Sequence, residues 1–212
     1  MFCEITIVIP CYNRQNFLPR LLRSLNDQEM DKDNFRVIII DDGSHDPVSI
    51  DSEIFDFKID IYRHNKNLGL PSALNTALKN INTRFFVRID SDDYVHKSFL
   101  KVLKLKFEVE PNVDVVALDY IKVNQTEKVI GIFSCDEHPI GCGIMFRTEI
   151  IKVIGMYNEK MLLAEEVEFR NRVMERFKIH RIALPLYRYV QHDNNLTNNK
   201  ELYDYYRDKI DE

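Results

Sequence analysis

FFVRIDSDD, residues 85–93, is the stretch whose reading decides the fold. Phe85, Phe86, Val87 and Ile89 are aromatic or β-branched, and they run directly into Asp90, Asp92 and Asp93. A short apolar run bounded by polar residues has the pattern of a buried strand. Apolar side chains on both of its faces require cover on both, the condition of a parallel strand packed between helices. Open α/β sheets bind ligands beyond the carboxyl ends of their strands, and the aspartates fall at that end. An Asp-x-Asp pattern there offers hard oxygen ligands for Mg2+ or Mn2+, ions that in turn hold a diphosphate. Taken alone, the same residues also read as a solvated acidic turn capping a helix that begins near Lys97, since short motifs recur by accident.

The surrounding chain changes that balance. Upstream, EITIVIP (residues 4–10) is a β-branched run ended by proline, followed by Cys11-Tyr12-Asn13-Arg14. Phe17, Leu18, Leu21, Leu22 and Leu25 then fall at helical spacing. FRVIII (35–40) is a second buried strand, ending in Asp41-Asp42-Gly43-Ser44. A third strand is expected over 58–62. After Asn67-Leu68-Gly69, an amphipathic helix carries Leu70, Leu74, Ala77 and Leu78. The order is therefore β-α-β-(short α)-β-α-β, the alternation of a mostly parallel sheet with right-handed crossovers. Three of the four strands end in polar or acidic clusters, and a parallel sheet gathers such ends on one edge.

Downstream, a helix is expected over 98–109, then two antiparallel strands over 112–123 and 128–133 with a turn near Asn124-Gln125. GCGIMFR (141–147) sets two glycines before a strand, a sign of close backbone approach. Thr148 is expected to cap a short helix through Val153 that Gly155 ends. A helix over 163–177 carries Glu165, Glu166 and Glu168 in its first turns, where acidic residues also simply favour the helix dipole. A strand over 179–184 and the segment LYRYVQHDNNLT follow, and the tail from Asn198 reads as a polar, loose final helix.

Composition bounds the function. The chain has 212 residues with 45% apolar content, enough for one compact domain with an ample core. A net charge of −5 gives no basic footprint, which argues against nucleic acid as a partner. Cys3, Cys11, Cys135 and Cys142 form no ligand-spaced pattern, as expected of reduced thiols in the cytoplasm. No leader is read at the start, and no stretch reaches the roughly 20 apolar residues that span a bilayer. Peripheral attachment to a membrane surface stays open, and nothing specifies an oligomeric state.

TIVIPCYNR, IIIDDGSHD, Asn67-x-Gly with the following ALN, VRIDSDD, GCGIMFR, and EEVEF with a late histidine occur in this order from Ile5 to Thr197. Together they resemble the family 2 glycosyltransferases of the GT-A fold, and most of all bacterial enzymes that build lipopolysaccharide, capsule or similar surface glycans. The resemblance implies an α/β, Rossmann-like central sheet with a small antiparallel acceptor-side region. It also implies one domain over 1–197, with a nucleotide-binding half (1–93), an acceptor-binding half (94–197) and a polar tail (198–212). The implied activity is inverting, metal-dependent transfer from a nucleotide sugar, UDP-sugar first, to a glycan or lipid-linked acceptor.

Residue by residue, Asp42 is similar in position to the aspartate that binds the nucleobase, and Pro10, Tyr12 and Arg14 to contacts of base and ribose. Asn67, Gly69, Arg88 and Ser91 fall in the same donor-binding segments. Arg88 either neutralises charge near the phosphates or pairs with an aspartate. Asp90 and Asp92 match the DXD motif, with Asp92 as direct metal ligand and Asp90 near ribose or metal-bound water. His192 resembles the late histidine that completes some metal sites, although a lone loop histidine is also an ordinary surface residue. Gly141–Gly143 matches an acceptor-side segment whose small residues leave room for the sugar. Glu166 takes the place of the general base. Here the chain departs from the commoner Glu-Asp pair: the extra methylene sets the helix about 1.5 Å further back, and Glu165 is the substitute candidate. Glu168 is expected to be solvated or paired with Arg172. Two other classes compete: a non-catalytic module, favoured if Glu165 and Glu166 face away from the cleft, and a nucleotidyltransferase, which would carry a basic Gly-rich loop where PCYNR stands.

Overall fold

The computed structural model describes residues 3–192, 195 and 199–210, except the side chain of Lys200. The expected domain–tail boundary at 197/198 lies outside the described residues. Four strands, β1 (Ile5–Cys11), β2 (Phe35–Asp41), β3 (Lys58–Arg63) and β4 (Phe85–Arg88), pair in parallel in the order β3-β2-β1-β4. Alternate side chains serve opposite faces. Ile5, Ile7, Ile9, Val37 and Ile39 pack on one side, with α1 (Leu18–Asn26), whose Leu18, Leu21, Leu22 and Leu25 are fully buried. Val8, Ile38 and Ile40 pack on the other, with Ala73, Leu74, Ala77 and Leu78 of α2 (Leu70–Lys79). Two apolar faces explain why these strands read as continuous rather than alternating runs.

Pro10 shows how a proline fits inside a central strand. Pairing of β1 with β4 ends at Val8↔Arg88, while pairing with β2 continues to Cys11↔Asp41. Val8 O accepts from Ile89 N at 3.0 Å, so the backbone of Pro10, two residues on, faces the β4 side beyond the last rung. The missing N–H is needed by no ladder bond there. The chain leaves β1 toward β2 on one side and returns to β4 on the other. The crevice beyond the carboxyl ends of β1 and β4 is therefore the topological switch point where α/β sheets take ligands.

The second half extends the same sheet with β5 (Tyr94–Val95), β6 (Val115–Asn124), β7 (Val129–Phe133), β8 (Ile144–Arg147) and β9 (Ile179–Gln191). α3 (Phe99–Val109), α4 (Ile151–Ile154), α5 (Glu165–Met174) and α6 (Lys200–Asp208) complete the elements. β8 lies antiparallel between β4 and β6, β7 forms the expected hairpin with β6, and β9 runs parallel to β6.

Three local expectations are corrected. β9 continues past Leu184 to Gln191, because the ladder with β6 bulges around Asp119 opposite Pro185 instead of ending there. Thr148 lies inside a 3-10 turn, Thr148–Ile150, and caps no helix; Gly155, at φ 77, does end α4. α5 is shorter than 163–177 because Ala164, at its N-cap, is left-handed with φ 58. Among the described residues no helix is long and apolar enough to cross a membrane.

Candidate active site

The floor of the crevice is built by loops that brace one another. Asp42 N donates to Cys11 O at 2.8 Å, Asn13 N to Ser44 Oγ at 2.9 Å, and His45 N to Asn13 Oδ1 at 2.9 Å. Asn13 adopts φ 52 to make these bonds, and Tyr12 beside it, at the end of β1, is 40% exposed. Asp42 is buried, and its carboxylate accepts from Leu68 N and Gly69 N at 2.9 Å each while the His64 ring lies at 2.6 Å. Both oxygens are thus already engaged in folding residues 64–69. Asn67 Oδ1 also accepts from Gly69 N at 2.9 Å. Gly43 lets these loops meet: its φ is +74, and a Cβ there would sit 2.6 Å from Asn67 N. Asp41 supports the same turn through Ser44 N, Val48 N and Arg63. Burial raises its pKa, but these hydrogen bonds outweigh burial and leave it lowered.

At the end of β4 the aspartates take three different roles. Asp92 Oδ2 lies 2.8 Å from His192 Nε2, although the two are 100 residues apart. Arg14 Nη1 stands 2.9 Å from the same ring nitrogen and 3.5 Å from Asp92 Oδ2. Phe17 stacks on the imidazole at 5.5 Å, and Arg20 pins the Asp92 carbonyl at 2.7 Å. Asp90 turns the other way and forms a fork with Arg88, Oδ1 to Nε at 2.6 Å and Oδ2 to Nη2 at 3.1 Å. Asp93 is buried and ties β4 to β9 by accepting from Tyr187 Oη at 2.6 Å and Val190 N at 2.8 Å. Ser91 is buried against the Cys11 thiol.

The expected metal set of Asp90, Asp92 and His192 therefore does not converge as a trio, because the Arg88 fork holds Asp90 aside. Among the described residues, the three-residue group with ligand atoms within 4.8 Å of one another is Asp90, Asp93 and Cys142. That group suits a hard cation poorly. Asp93 is spent on β9, its carboxyl pushed up by burial and then by Asp92 and Asp90, while burial also pushes up the Cys142 thiol. Asp92 and His192 fit better, since cis ligands of an octahedral ion with bonds of 2.0–2.1 Å lie about 3 Å apart.

Across the crevice, Arg88 settles the alternative left open by its sequence: it pairs with carboxylates. Besides Asp90 it binds Glu165 Oε1 through Nη1 at 2.9 Å, and both side chains of this pair are less than a tenth exposed. Burial opposes the guanidinium charge, and Asp90 and Glu165 more than offset it. Glu165 is pushed up to about 7 by burial, against the pull of Arg88 and with a further push from Glu166. The Glu165 carboxylate is thus engaged by a guanidinium. Glu166 is only partly buried, and its Oε1 accepts from Tyr203 Oη at 2.9 Å. Glu168 pairs with Arg172 at 2.6 Å, as its spacing suggested.

The glycines of the 141–143 loop make room for protein. A Cβ on Gly141 would lie 2.6 Å from Glu166 Cβ and 3.1 Å from Arg88 Nη1; one on Gly143 would lie 2.9 Å from the Tyr187 ring. They admit the close approach of Glu166, Arg88 and Tyr187. A cavity of about 220 Å3 opens beside Glu166 and Gly141, walled by Phe146, Tyr157, Phe169 and Met174.

Sequence reasoning gave no separate role to Asp93, Tyr187, His64 or Tyr203. The first two sit in an acidic cluster and a late strand whose partners are remote. Tyr203 lies in a polar tail with no motif to single it out.

Residues 6–169 match the family model described as Glycosyl transferase family 2. A glycosyltransferase named GlyA from Streptococcus pneumoniae is 30% identical over 58% of this chain and 18% of its own length. The pre-mycofactocin glycosyltransferase of Mycobacterium tuberculosis is 27% identical over 90% of this chain and 43% of its own. The chain thus spans less than half the length of these curated relatives. In fold it is similar to Staphylococcus aureus TarS 1-349 in complex with UDP-GlcNAc, with TM-score 0.81, 21% identity and coverage of 98% of this chain and 65% of that one. It is also similar to the mannosyltransferase PcManGT of Pyrobaculum calidifontis with GDP-Man and Mn2+, with TM-score 0.74, 14% identity and coverage of 99% and 63%. These likenesses bear out the mixed α/β, GT-A architecture read from the strand order. On the family match, the chain belongs to the family 2 glycosyltransferases.

Proposed function

We propose that the chain transfers a sugar from a nucleotide sugar to a hydroxyl of a glycan or lipid-linked acceptor, with inversion at the anomeric carbon. The observation that carries this reading is the convergence of Asp92, His192 and Arg14 at the switch point. Pro10 and Tyr12 at the end of β1, and the 42–45 and 64–69 loops, would bed the nucleoside, with Tyr12 free to stack on the base. Asp42 then acts on the base through the loop that it folds. TarS is named as a poly(ribitol-phosphate) β-N-acetylglucosaminyltransferase and was solved with UDP-GlcNAc, which makes UDP-GlcNAc the first donor to test.

Mn2+ or Mg2+ would be held by Asp92 Oδ2 and His192 Nε2. Bound there, it would supply positive charge to a departing diphosphate. Arg14 brings positive charge to the same two atoms. Glu166 takes the proton of the acceptor hydroxyl as that oxygen bonds to the anomeric carbon. The bond from carbon to diphosphate oxygen breaks on the opposite face, and the nucleoside diphosphate leaves with the electron pair. Glu165 serves this arrangement as the anchor of α5, joined through Arg88 to the Asp90 end of β4. That junction favours an enzyme over a non-catalytic module, whose glutamates would face away. On this reading the reaction is cytoplasmic, at the inner face of a membrane when the acceptor is lipid-linked.

The test is turnover of a panel of UDP-, GDP- and dTDP-sugars with Mn2+, following nucleotide release and the anomer formed by NMR. The reading requires release from one nucleotide class with inverted product. Retained configuration, or no release from any of them, would reject it.

A further inference from the structure

We propose that Tyr203 on α6 is a positioning residue for Glu166, fixing one carboxylate oxygen so that the other receives the acceptor's proton. The inference rests on the proposed role of Glu166 as general base, and it assigns a task to a helix that reads as a loose tail.

Three observations converge on it. The phenol hydroxyl of Tyr203 donates to Glu166 Oε1 at 2.9 Å, an ordinary O–H···O hydrogen-bond distance. Gly141 presses on the stem of the same side chain, with a hypothetical Cβ only 2.6 Å from Glu166 Cβ and 3.3 Å from Cγ. Glu166 is therefore held at its base by a backbone and at its tip by a phenol, while Oε2 accepts no hydrogen bond among the described residues and is not buried. Finally, α6 is not seated by a packed apolar face. Leu202 and Tyr205 are 42% and 53% exposed, and among the described residues α6 forms no broad interface with any other element. Asn199 caps the helix through Leu202 N at 3.2 Å, and Tyr203 links it to α5 through Glu166.

The phenol remains a donor throughout. Burial, followed by the charge of Glu166 and then of Glu165, pushes its ionisation up, with Arg207 on its own helix pulling the other way. It cannot compete with Glu166 for the proton. The geometry divides the labour of one carboxylate, with Oε1 anchored and Oε2 reactive.

The test uses the full chain, Tyr203→Phe, Glu166→Gln, and Leu202→Ala as a control on the same helix. The contact itself is read without substrate, from the 13Cζ resonance of Tyr203 between pH 7 and 11. It should stay that of a phenol in wild type and begin to ionise in Glu166→Gln. Function is read with whichever nucleotide sugar wild type turns over, or hydrolyses in water. Tyr203→Phe, which keeps the ring, should lose about tenfold in kcat, with donor KM unchanged, and Leu202→Ala should match wild type. A Tyr203 resonance indifferent to Glu166→Gln would overturn the contact. Undiminished kcat in Tyr203→Phe beside an inactive Glu166→Gln would overturn the positioning role and leave the base assignment standing. Full activity of Glu166→Gln would overturn both.

Discussion

Replacing Arg88 by methionine should destabilise the protein in a way that depends on pH, and the dependence identifies the cause. Arg88 sits between Asp90, whose side chain is 27% exposed, and Glu165, whose side chain is 4% exposed. Water can take over at Asp90 but not at Glu165. Removing one partner of a buried ion pair costs about 3–5 kcal/mol when the other charge is left behind. Glu165 can escape that cost by protonating. Its folded-state pKa is already raised from 4.5 to about 7, so in wild type its contribution to stability falls as pH rises through that interval and is flat above it. Without Arg88 the folded-state value rises further. The variant then holds one proton more than its unfolded chain above pH 7, and it keeps losing about 1.4 kcal/mol per pH unit. The difference from wild type should therefore widen between pH 7 and 8.5. At pH 8 a loss of about 3 kcal/mol would lower Tm by roughly 6–12 °C for a chain of this length. Urea and thermal unfolding followed by circular dichroism measure both. Arg88→Met/Glu165→Gln should recover most of the loss. A deficit that is constant from pH 7 to 8.5, or no recovery in the double variant, would refute the reasoning.

Other perturbations follow from the same geometry. Glu166→Gln should lower kcat by about 10²–10⁴ with donor KM changed little, measured as nucleotide release. Gly141→Ala, whose Cβ would strike Glu166 and Arg88, should lower kcat and cost about 1–3 kcal/mol in urea unfolding. Gly43→Ala should destabilise as well, because its φ of +74 and the neighbouring Lys66–Asn67 backbone leave no room for a side chain. Asp119 accepts from Arg181 at 2.8 and 2.7 Å, which holds its carboxyl below the usual value of 3.8. Its stabilising contribution is present above about pH 4 and disappears as pH falls through the folded-state value. Asp119→Asn should therefore lower the urea midpoint at pH 6, and its deficit should shrink progressively as the pH is taken below about 4.

The parallel half of the fold was legible because its physics is local. Continuous β-branched runs, helical leucine spacing and polar strand ends all lie within a few residues of one another, and they place the switch point correctly. The pairing of Asp92 with His192 was legible only through resemblance, since 100 residues separate them. Less was readable where one residue's role depends on which partner reaches it first. Asp90 looks equivalent to Asp92 in DSDD, yet the Arg88 fork claims it. Glu165 and Glu166 look interchangeable, yet the left-handed turn at Ala164 starts the helix so that one side chain enters the interior and the other stays at the rim. The glycines at 141 and 143 signal close approach, which is correct, but not that Glu166 and Tyr187 are what approaches. Strand β9 hides behind Pro185, because a ladder can bulge around a proline.

The central claim is that the crevice beyond β1 and β4 holds a nucleoside diphosphate with a divalent ion on Asp92 and His192. Isothermal titration of UDP, GDP and dTDP, each with and without Mn2+, tests it on wild type, Asp92→Ala and His192→Ala. The account predicts that one nucleotide, UDP first, binds tightly only with Mn2+, and that either substitution abolishes the metal's effect. Binding that ignores both metal and substitution, or no binding of any of the three with Mn2+ present, would contradict it.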